Sequence, residues 1–353
     1  MYFKILINLK KSKFWYYFLL LILNPLYSLI WKNFFNFHGR ILYFLWFAKK
    51  RNCINLKNES LYKIENNEFL VNFAKEINKA CNKDFLNEAE KIIFNQSERN
   101  DTITGAQKKL IETDNVSNSN EKKYFLQIFD LLDEKIKNKI INFAKSEILV
   151  STAAKYMGVF PMVSLVALTY HVPRSTDERR GAMLFHKDEK GYRSLDLFLS
   201  ISDIDEDSGP FKALKTKYDE LGPFALIDNS NFSAKKGNRD KIPDDLMNKK
   251  INNENLLMNT GKIGTGIFID SFKHYHAGGH CLKKGRILLR ILYATGDSTI
   301  NSQNHNKVIN LQKKNEQSNH FMKYLLFNKP IIFNNKFISN ILLKFYRIAH
   351  FKF

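Results

Sequence analysis

The sequence predicts an α+β protein, and three observations carry that prediction. Between about residue 61 and residue 147, apolar positions recur at three-to-four spacing, the period of a helix with one buried face. Beyond Val150 the texture changes to short apolar runs at period two, closed by glycine, proline and acidic turn residues. The two ends, residues 1–60 and 301–353, are basic and locally apolar, unlike the middle. The expected organisation is an apolar, basic N-terminal segment (1–60), a helical region packing on the core (61–149), a strand-rich core (150–300) and a basic C-terminal tail with an amphipathic helix (301–353).

A chain of 353 residues with 44% hydrophobic and 25% charged residues has room for one large enzymatic domain with appendages, and its composition excludes global disorder. Cys53, Cys81 and Cys281 are odd in number and widely spaced, so neither a disulfide framework nor a zinc ribbon is expected. Each reads as a small buried apolar residue in a reducing compartment. The formal charge of +20 resides largely in the ends: residues 1–60 hold ten Lys/Arg and one acidic residue, and residues 301–353 hold nine and one. The middle, with 36 basic and 33 acidic groups, is near neutral and carries no recognisable nucleic-acid motif, so no nucleic-acid partner is expected.

In the N-terminal segment, FWYYFLLLIL at 14–23 is interrupted by Asn24-Pro25, and ILYFLWFA follows at 41–48. Both runs fall short of the roughly 20 apolar residues of a spanning helix. Trp15, Trp31 and Trp46 all lie here, and Phe337–Phe353 combines aromatic, basic and apolar residues at helical spacing. Two readings stay open. Either these segments dock on the domain, or residues 1–50 and 337–353 lie in the plane of a membrane surface, where tryptophan and Lys/Arg are favoured. The expected location is cytoplasmic, peripheral on the membrane under the second reading.

Phe69–Cys81, Phe85–Phe94 and Tyr124–Ala144 are the clearest helical patterns, with Thr113–Asn120 a polar loop. Strands are expected at Val159–Tyr170, Ser194–Ser202, Gly264–Asp270 and Ile287–Ala294. Between them Lys212–Lys262 is long and polar, with Pro243-Asp244-Asp245 a helix start, and reads as an excursion able to form a substrate lid.

The first chemistry lies in Met183–Pro210. His186 and Asp188 are separated by one residue, so on an extended backbone both side chains point the same way while Lys187 points opposite. Two ligands can therefore reach one metal ion. Leu195, Leu197, Leu199 and Ile201 then recur at period two with Asp196, Ser200 and Ser202 between them, Phe198 being the exception. Downstream, His274, His276 and His280 occupy even positions ahead of Arg286. A His-x-Asp pair with a distant histidine looks like the 2-His-1-carboxylate facial triad of a non-heme iron oxygenase.

Four segments in order carry a resemblance to a known family: AAKYMGVFPMV at 153–163, LFHKD at 184–188, DLFLSISDIDEDSGPF at 196–211, and GTGIFIDSFKHYHAGG through GRILLRILY at 264–293. Together they resemble the phytanoyl-CoA dioxygenase family of Fe(II)- and 2-oxoglutarate-dependent oxygenases. The resemblance implies a double-stranded β-helix, of the jelly-roll or cupin kind, with helices packed outside it. It implies Fe(2+) and 2-oxoglutarate as cofactors, O2 as co-substrate, and hydroxylation of a small-molecule or lipid-like substrate with release of succinate and CO2. His186 and Asp188 would be the first two metal ligands and catalytic residues.

Parity does not choose the third ligand, since residues 274, 276 and 280 share it. Register against the family favours His276, with Asp270 before it, Gly278 after it and Arg286 ten residues on; His274 is the alternative. His280 and His171 read as ordinary polar residues. Arg286 stands where the family's arginine binds the far carboxylate of 2-oxoglutarate, with Arg290 on the same strand face a competitor. Gly278 stands where some members carry a hydroxyl, which leaves the second group around the co-substrate unassigned. A non-catalytic β-barrel that keeps the ligands for binding or scaffolding is the alternative function, and metal-dependent turnover separates the two.

Overall fold

The computed structural model describes residues 39–57, 59–99, 125–173, 181–188, 194–217, 241–242, 247 and 253–295. The apolar run 14–23, the tail 337–353, the loop 113–120 and the helix start at 243–245 lie outside these residues. Five helices are described: α1 over residues 39–47, α2 Glu68–Ala80, α3 Lys83–Arg99, α4 Glu134–Ala144 and α5 Glu147–Met157. The strands are β1 Leu61–Ile64, β2 Phe125–Gln127, β3 Met162–His171, β4 Phe185–His186, β5 Ser194–Ser200 and β6 Lys212–Leu214, followed by β7 Lys241–Ile242, β8 Leu256–Met258, β9 Gly266–Ile269, β10 His276–Ala277 and β11 Arg286–Ala294.

The strands form two antiparallel sheets. One runs β1-β9-β5-β11-β3-β2 and the other β7-β4-β10-β6-β8. From β3 onwards the chain feeds the two sheets in turn except that β6, β7 and β8 follow one another: β3, β5, β9 and β11 enter the larger sheet, and β4, β6, β7, β8 and β10 the smaller. The α+β class expected from the sequence is therefore present in the described residues.

Period two in β5 and β11 sorts side chains onto two faces. Leu195, Leu197, Leu199, Ile287, Leu289, Ile291 and Tyr293 join a large core with Leu70, Ile77, Ile140 and Leu149 of the helices. The opposite parity faces another core, where Phe198, Ile267, Ile269 and Leu288 of the larger sheet meet Phe211 and Ala213. Phe198, the exception to polar alternation, is thus explained: its face is an interior one and not a solvated one. Asp196 and Ser200 share that parity and are fully buried.

The helices begin where the sequence offers caps. Asn67 accepts the Leu70 amide at 3.2 Å and Asp133 accepts the Ile136 amide at 2.8 Å, each satisfying one otherwise orphaned N–H. Gly158, at φ 68, ends α5 in the left-handed conformation that glycine adopts without a Cβ clash.

Two segments of the helical region depart from expectation. Leu61–Ile64 is a strand paired with β9, and Phe125–Gln127 is a strand paired with β3, so helix α4 starts at Glu134 and not near Tyr124. Both pieces are too short for their own periodicity to decide. Pairing with distant strands does so instead.

The second apolar run, 41–48, falls almost wholly within α1, which docks on the domain. Leu42 and Trp46 are buried, the indole Nε1–H donates to Ser151 Oγ at 2.8 Å, and the ring meets Phe160 edge-on at 5.2 Å. Phe44 and Leu45 on the other side are exposed. No helix of the described residues is long and apolar enough to cross a membrane. The excursion 212–262 contributes β6, β7 and β8 to the smaller sheet where it is described.

Candidate metal centre

β10 is hydrogen-bonded to β4 on one side and β6 on the other, with His276 directly opposite His186. Opposite residues of an antiparallel pair project from the same face, so this register alone brings the two imidazoles together. Asp188, two residues beyond His186, follows on that face; its amide donates to the Ser271 carbonyl at 3.0 Å. His186 Nε2 lies 3.9 Å from Asp188 Oδ1 and His276 Nε2 lies 3.8 Å from Asp188 Oδ2. One candidate ligand atom from each of the three lies within 4.8 Å of the others, a spacing that a single metal ion can bridge.

The orientation of both rings is fixed from behind. His186 Nδ1 lies 2.8 Å from the Leu184 carbonyl and His276 Nδ1 lies 3.1 Å from the His274 carbonyl. A carbonyl only accepts, so each Nδ1 carries a proton, and each Nε2 is the ring nitrogen turned toward Asp188 and open to a metal. This is the arrangement by which proteins set a metal-binding tautomer. The donor set of two imidazoles and one carboxylate suits a divalent first-row metal.

His274 is turned elsewhere. Its Nδ1 donates to the Leu214 carbonyl at 2.8 Å, and its Nε2 meets Ser60 Oγ at 2.7 Å. Both ring nitrogens are therefore engaged in ties to Ser60, just before β1, and to Leu214 of β6, and the ring is not brought into the cluster. His280 is buried on the loop before β11, also outside it.

Arg286 opens β11 and is 1% exposed. Its Nη1 and Nη2 reach the carbonyls of Ser208 and Gly279 only at 3.5 and 3.4 Å, and its Nε has no hydrogen-bond partner among the described residues. Burial pushes its pKa down to about 10, so it stays a cation at neutral pH. A buried cation so weakly satisfied is a socket for an anion. The two carbonyls reach it because Gly209, at φ 60, and Gly279 pack backbone against backbone; a Cβ at Gly279 would collide with the Gly209 carbonyl.

His171 is paired with Arg286 across β3 and β11. Its ring is buried, and burial followed by the charge of Arg286 holds its pKa well below the ordinary histidine value. Thr169, two residues earlier on the same face, donates to the Leu288 carbonyl at 3.1 Å, so its oxygen accepts from His171 Nε2 at 3.3 Å. The sequence offered no signal for His171 beyond its residue type, because its proximity to Arg286 is a matter of β3–β11 register.

Arg290, the other candidate on β11, has a different task. Its Nη2 donates to Asp188 Oδ2 at 2.8 Å, its Nε donates to Asp196 Oδ1 at 2.7 Å, and its guanidinium stacks over Phe198 at 5.0 Å. Burial opposes its charge, but the Asp196 and Asp188 carboxylates outweigh that and raise its pKa. Asp196 in turn accepts from Ser271 Oγ at 2.6 Å. The signal for this network was an aspartate among the leucines of an otherwise apolar strand.

No protein-family model matches the sequence, and no curated protein sequence matches it. Solved structures do superpose in part. EctD from S. alaskensis with bound Fe shares 12% identity over 70% of this chain and 79% of its own, with a TM-score of 0.38. HygX from Streptomyces hygroscopicus, crystallised with nickel, 2-oxoglutarate and hygromycin B, shares 9% over 68% and 84%, at 0.37. SnoK, a non-heme alpha-ketoglutarate-dependent carbocyclase from nogalamycin biosynthesis, shares 11% over 69% and 83%, at 0.39. At such low identity and superposition, the site of this chain stands on its own residues.

Proposed function

We propose that this chain is a non-heme Fe(II)- and 2-oxoglutarate-dependent dioxygenase that hydroxylates a small-molecule or lipid-like substrate. The observation that carries the reading is the convergence of His186, Asp188 and His276, with both Nδ1 atoms donating to backbone carbonyls so that both Nε2 atoms face the carboxylate. The resemblance of residues 150–295 to the phytanoyl-CoA dioxygenase family agrees with it. The near-alternate feeding of strands into two sheets supports a double-stranded β-helix.

In this reading His186, Asp188 and His276 would hold Fe(II), a donor set suited to a metal that also takes 2-oxoglutarate and O2. Bound iron supplies the redox chemistry that couples oxidation of the substrate to oxidative decarboxylation of the co-substrate. The balance is one substrate C–H, one 2-oxoglutarate and one O2 giving one C–OH, one succinate and one CO2. Arg286 receives the far carboxylate of 2-oxoglutarate in place of its two long carbonyl contacts, and His171 flanks that position as a neutral ring. The apolar surround of Phe198, Phe211 and Leu288 keeps water from the reacting atoms.

The test is anaerobic reconstitution with Fe(II) and 2-oxoglutarate, then admission of O2 with and without candidate lipids and small metabolites. The expected result is iron- and O2-dependent succinate release that His276→Ala abolishes. Iron-loaded protein that never consumes 2-oxoglutarate would overturn the reading and favour a binding role.

A further inference from the structure

We propose that Arg290 is a positioning residue that restrains Asp188 to one-oxygen metal ligation and so keeps a coordination position open for the co-substrate. The proposal rests on the metal-centre reading above.

Two contacts with described residues restrain Asp188. Its backbone amide is fixed to the Ser271 carbonyl at 3.0 Å, and its Oδ2 accepts from Arg290 Nη2 at 2.8 Å. The two restraints share an origin. Ser271 Oγ donates to Asp196 Oδ2 at 2.6 Å, and Asp196 Oδ1 accepts from Arg290 Nε at 2.7 Å. The four residues thus close a ring, Asp188 to Ser271 to Asp196 to Arg290 and back to Asp188.

The ring ties β5, β11 and the turn after β9, all of the larger sheet, to Asp188 just beyond β4 of the smaller sheet. Arg290 stands opposite Phe198 in the β11–β5 register, and Asp196 lies two residues before Phe198 on the same face. Asp196 is fully buried, a costly place for a carboxylate unless it is paired. It fixes the guanidinium, whose planar fork can then donate to a second carboxylate in a defined direction. A lysine could not do both.

A carboxylate with two free oxygens can bind a metal through both of them. Oδ1 faces His186 Nε2 at 3.9 Å and Oδ2 faces His276 Nε2 at 3.8 Å, and the charge-assisted hydrogen bond from Arg290 draws electron density from Oδ2, which favours Oδ1 as the donor toward a metal. A triad that ligates through three atoms leaves three positions, enough for a two-point co-substrate and O2. A triad that ligates through four leaves too few.

The test uses Mn(II) alone as the metal probe, with bound water counted by water-proton relaxation and 2-oxoglutarate binding to the Mn(II) protein measured separately. The variants are Arg290→Gln, Arg290→Lys, and the double variant Arg290→Gln with Asp196→Asn, which removes the buried charge pair together should the single change fail to fold. The glutamine variants are expected to keep Mn(II), lose about one third of the bound-water relaxation, and bind 2-oxoglutarate about tenfold more weakly. Arg290→Lys is expected to recover part of both. Wild-type relaxation and wild-type 2-oxoglutarate affinity in the folded variants would overturn the proposal, as would loss of Mn(II) from them. If the wild type binds no Mn(II), or Asp188→Ala binds it as well, the metal-centre reading itself fails and this proposal with it.

Discussion

His186 and His276 stand directly opposite each other on β4 and β10, their ring centroids 4.4 Å apart, although the described residues between them include five other strands. The metal-binding geometry is therefore a property of sheet register. A one-residue slip of β10 would turn His276 away and bring Tyr275 or Ala277 into its place.

Loss of any one of the three groups leaves two ligands. His186→Ala, Asp188→Ala and His276→Ala are each expected to weaken Fe(II) binding by about tenfold to a hundredfold or more and to abolish succinate release. His274→Ala is expected to keep the metal. It should instead lower stability by about 1–3 kcal/mol, because Ser60 Oγ and the Leu214 carbonyl lose their partner in the interior. Metal titration beside chemical denaturation separates the two effects. Retained metal in His276→Ala with loss in His274→Ala would reverse the assignment.

Arg286 makes a prediction of opposite signs. As a buried cation with long contacts it disfavours the ligand-free fold, so Arg286→Met is expected to leave the apo protein as stable as wild type or more so. The same variant should bind 2-oxoglutarate about tenfold to a hundredfold more weakly, the equivalent of charge-assisted hydrogen bonds worth about 1.5–3 kcal/mol. Thermal melting with and without 2-oxoglutarate reads both. Wild type should gain stability with the ligand, and the variant should not.

Truncation at the N-terminus should be sensitive to where it is cut. Removing residues 1–38 leaves α1 in place, whereas removing residues 1–50 takes Leu42 and Trp46 out of the core. The longer truncation is expected to cost several kcal/mol, since loss of a buried tryptophan alone costs about 3–5 kcal/mol. Equal denaturation midpoints for the two truncations would show that the docking of α1 contributes nothing.

Asp205 gives a pH dependence with a definite sign. Its hydrogen bond from Lys284, then that from Ser208, lowers its pKa from 3.8 to about 2. A depressed carboxylate pKa favours the fold above the unfolded value, so this contribution is full above about pH 4 and fades as pH falls toward 2. Because Asp205 caps the turn that presents the Ser208 carbonyl to Arg286, Asp205→Asn should flatten the acid limb of the stability profile. An unchanged acid limb would contradict this.

The candidate ligands His186 and Asp188 and the strands β5 and β11 could be picked out in the sequence, because parity and period are local properties. What stayed illegible depends on register between distant strands. Parity could not choose between His274 and His276; the ties of His274 to Ser60 and Leu214 come from β1 and β6. The strands at Leu61–Ile64 and Phe125–Gln127 were hidden in a helical region because their partners lie more than thirty residues away. Arg290 read as a competitor of Arg286 and Asp196 as a polar position between leucines, because their pairing depends on the β5–β11 register.

The most direct test is iron-edge anomalous scattering from crystals grown anaerobically with Fe(II). A single peak within bonding distance of His186 Nε2, Asp188 and His276 Nε2, with Arg290 still on Asp188 Oδ2, is the expected result. A peak placed on His274, or iron bound away from Asp188, would contradict the account.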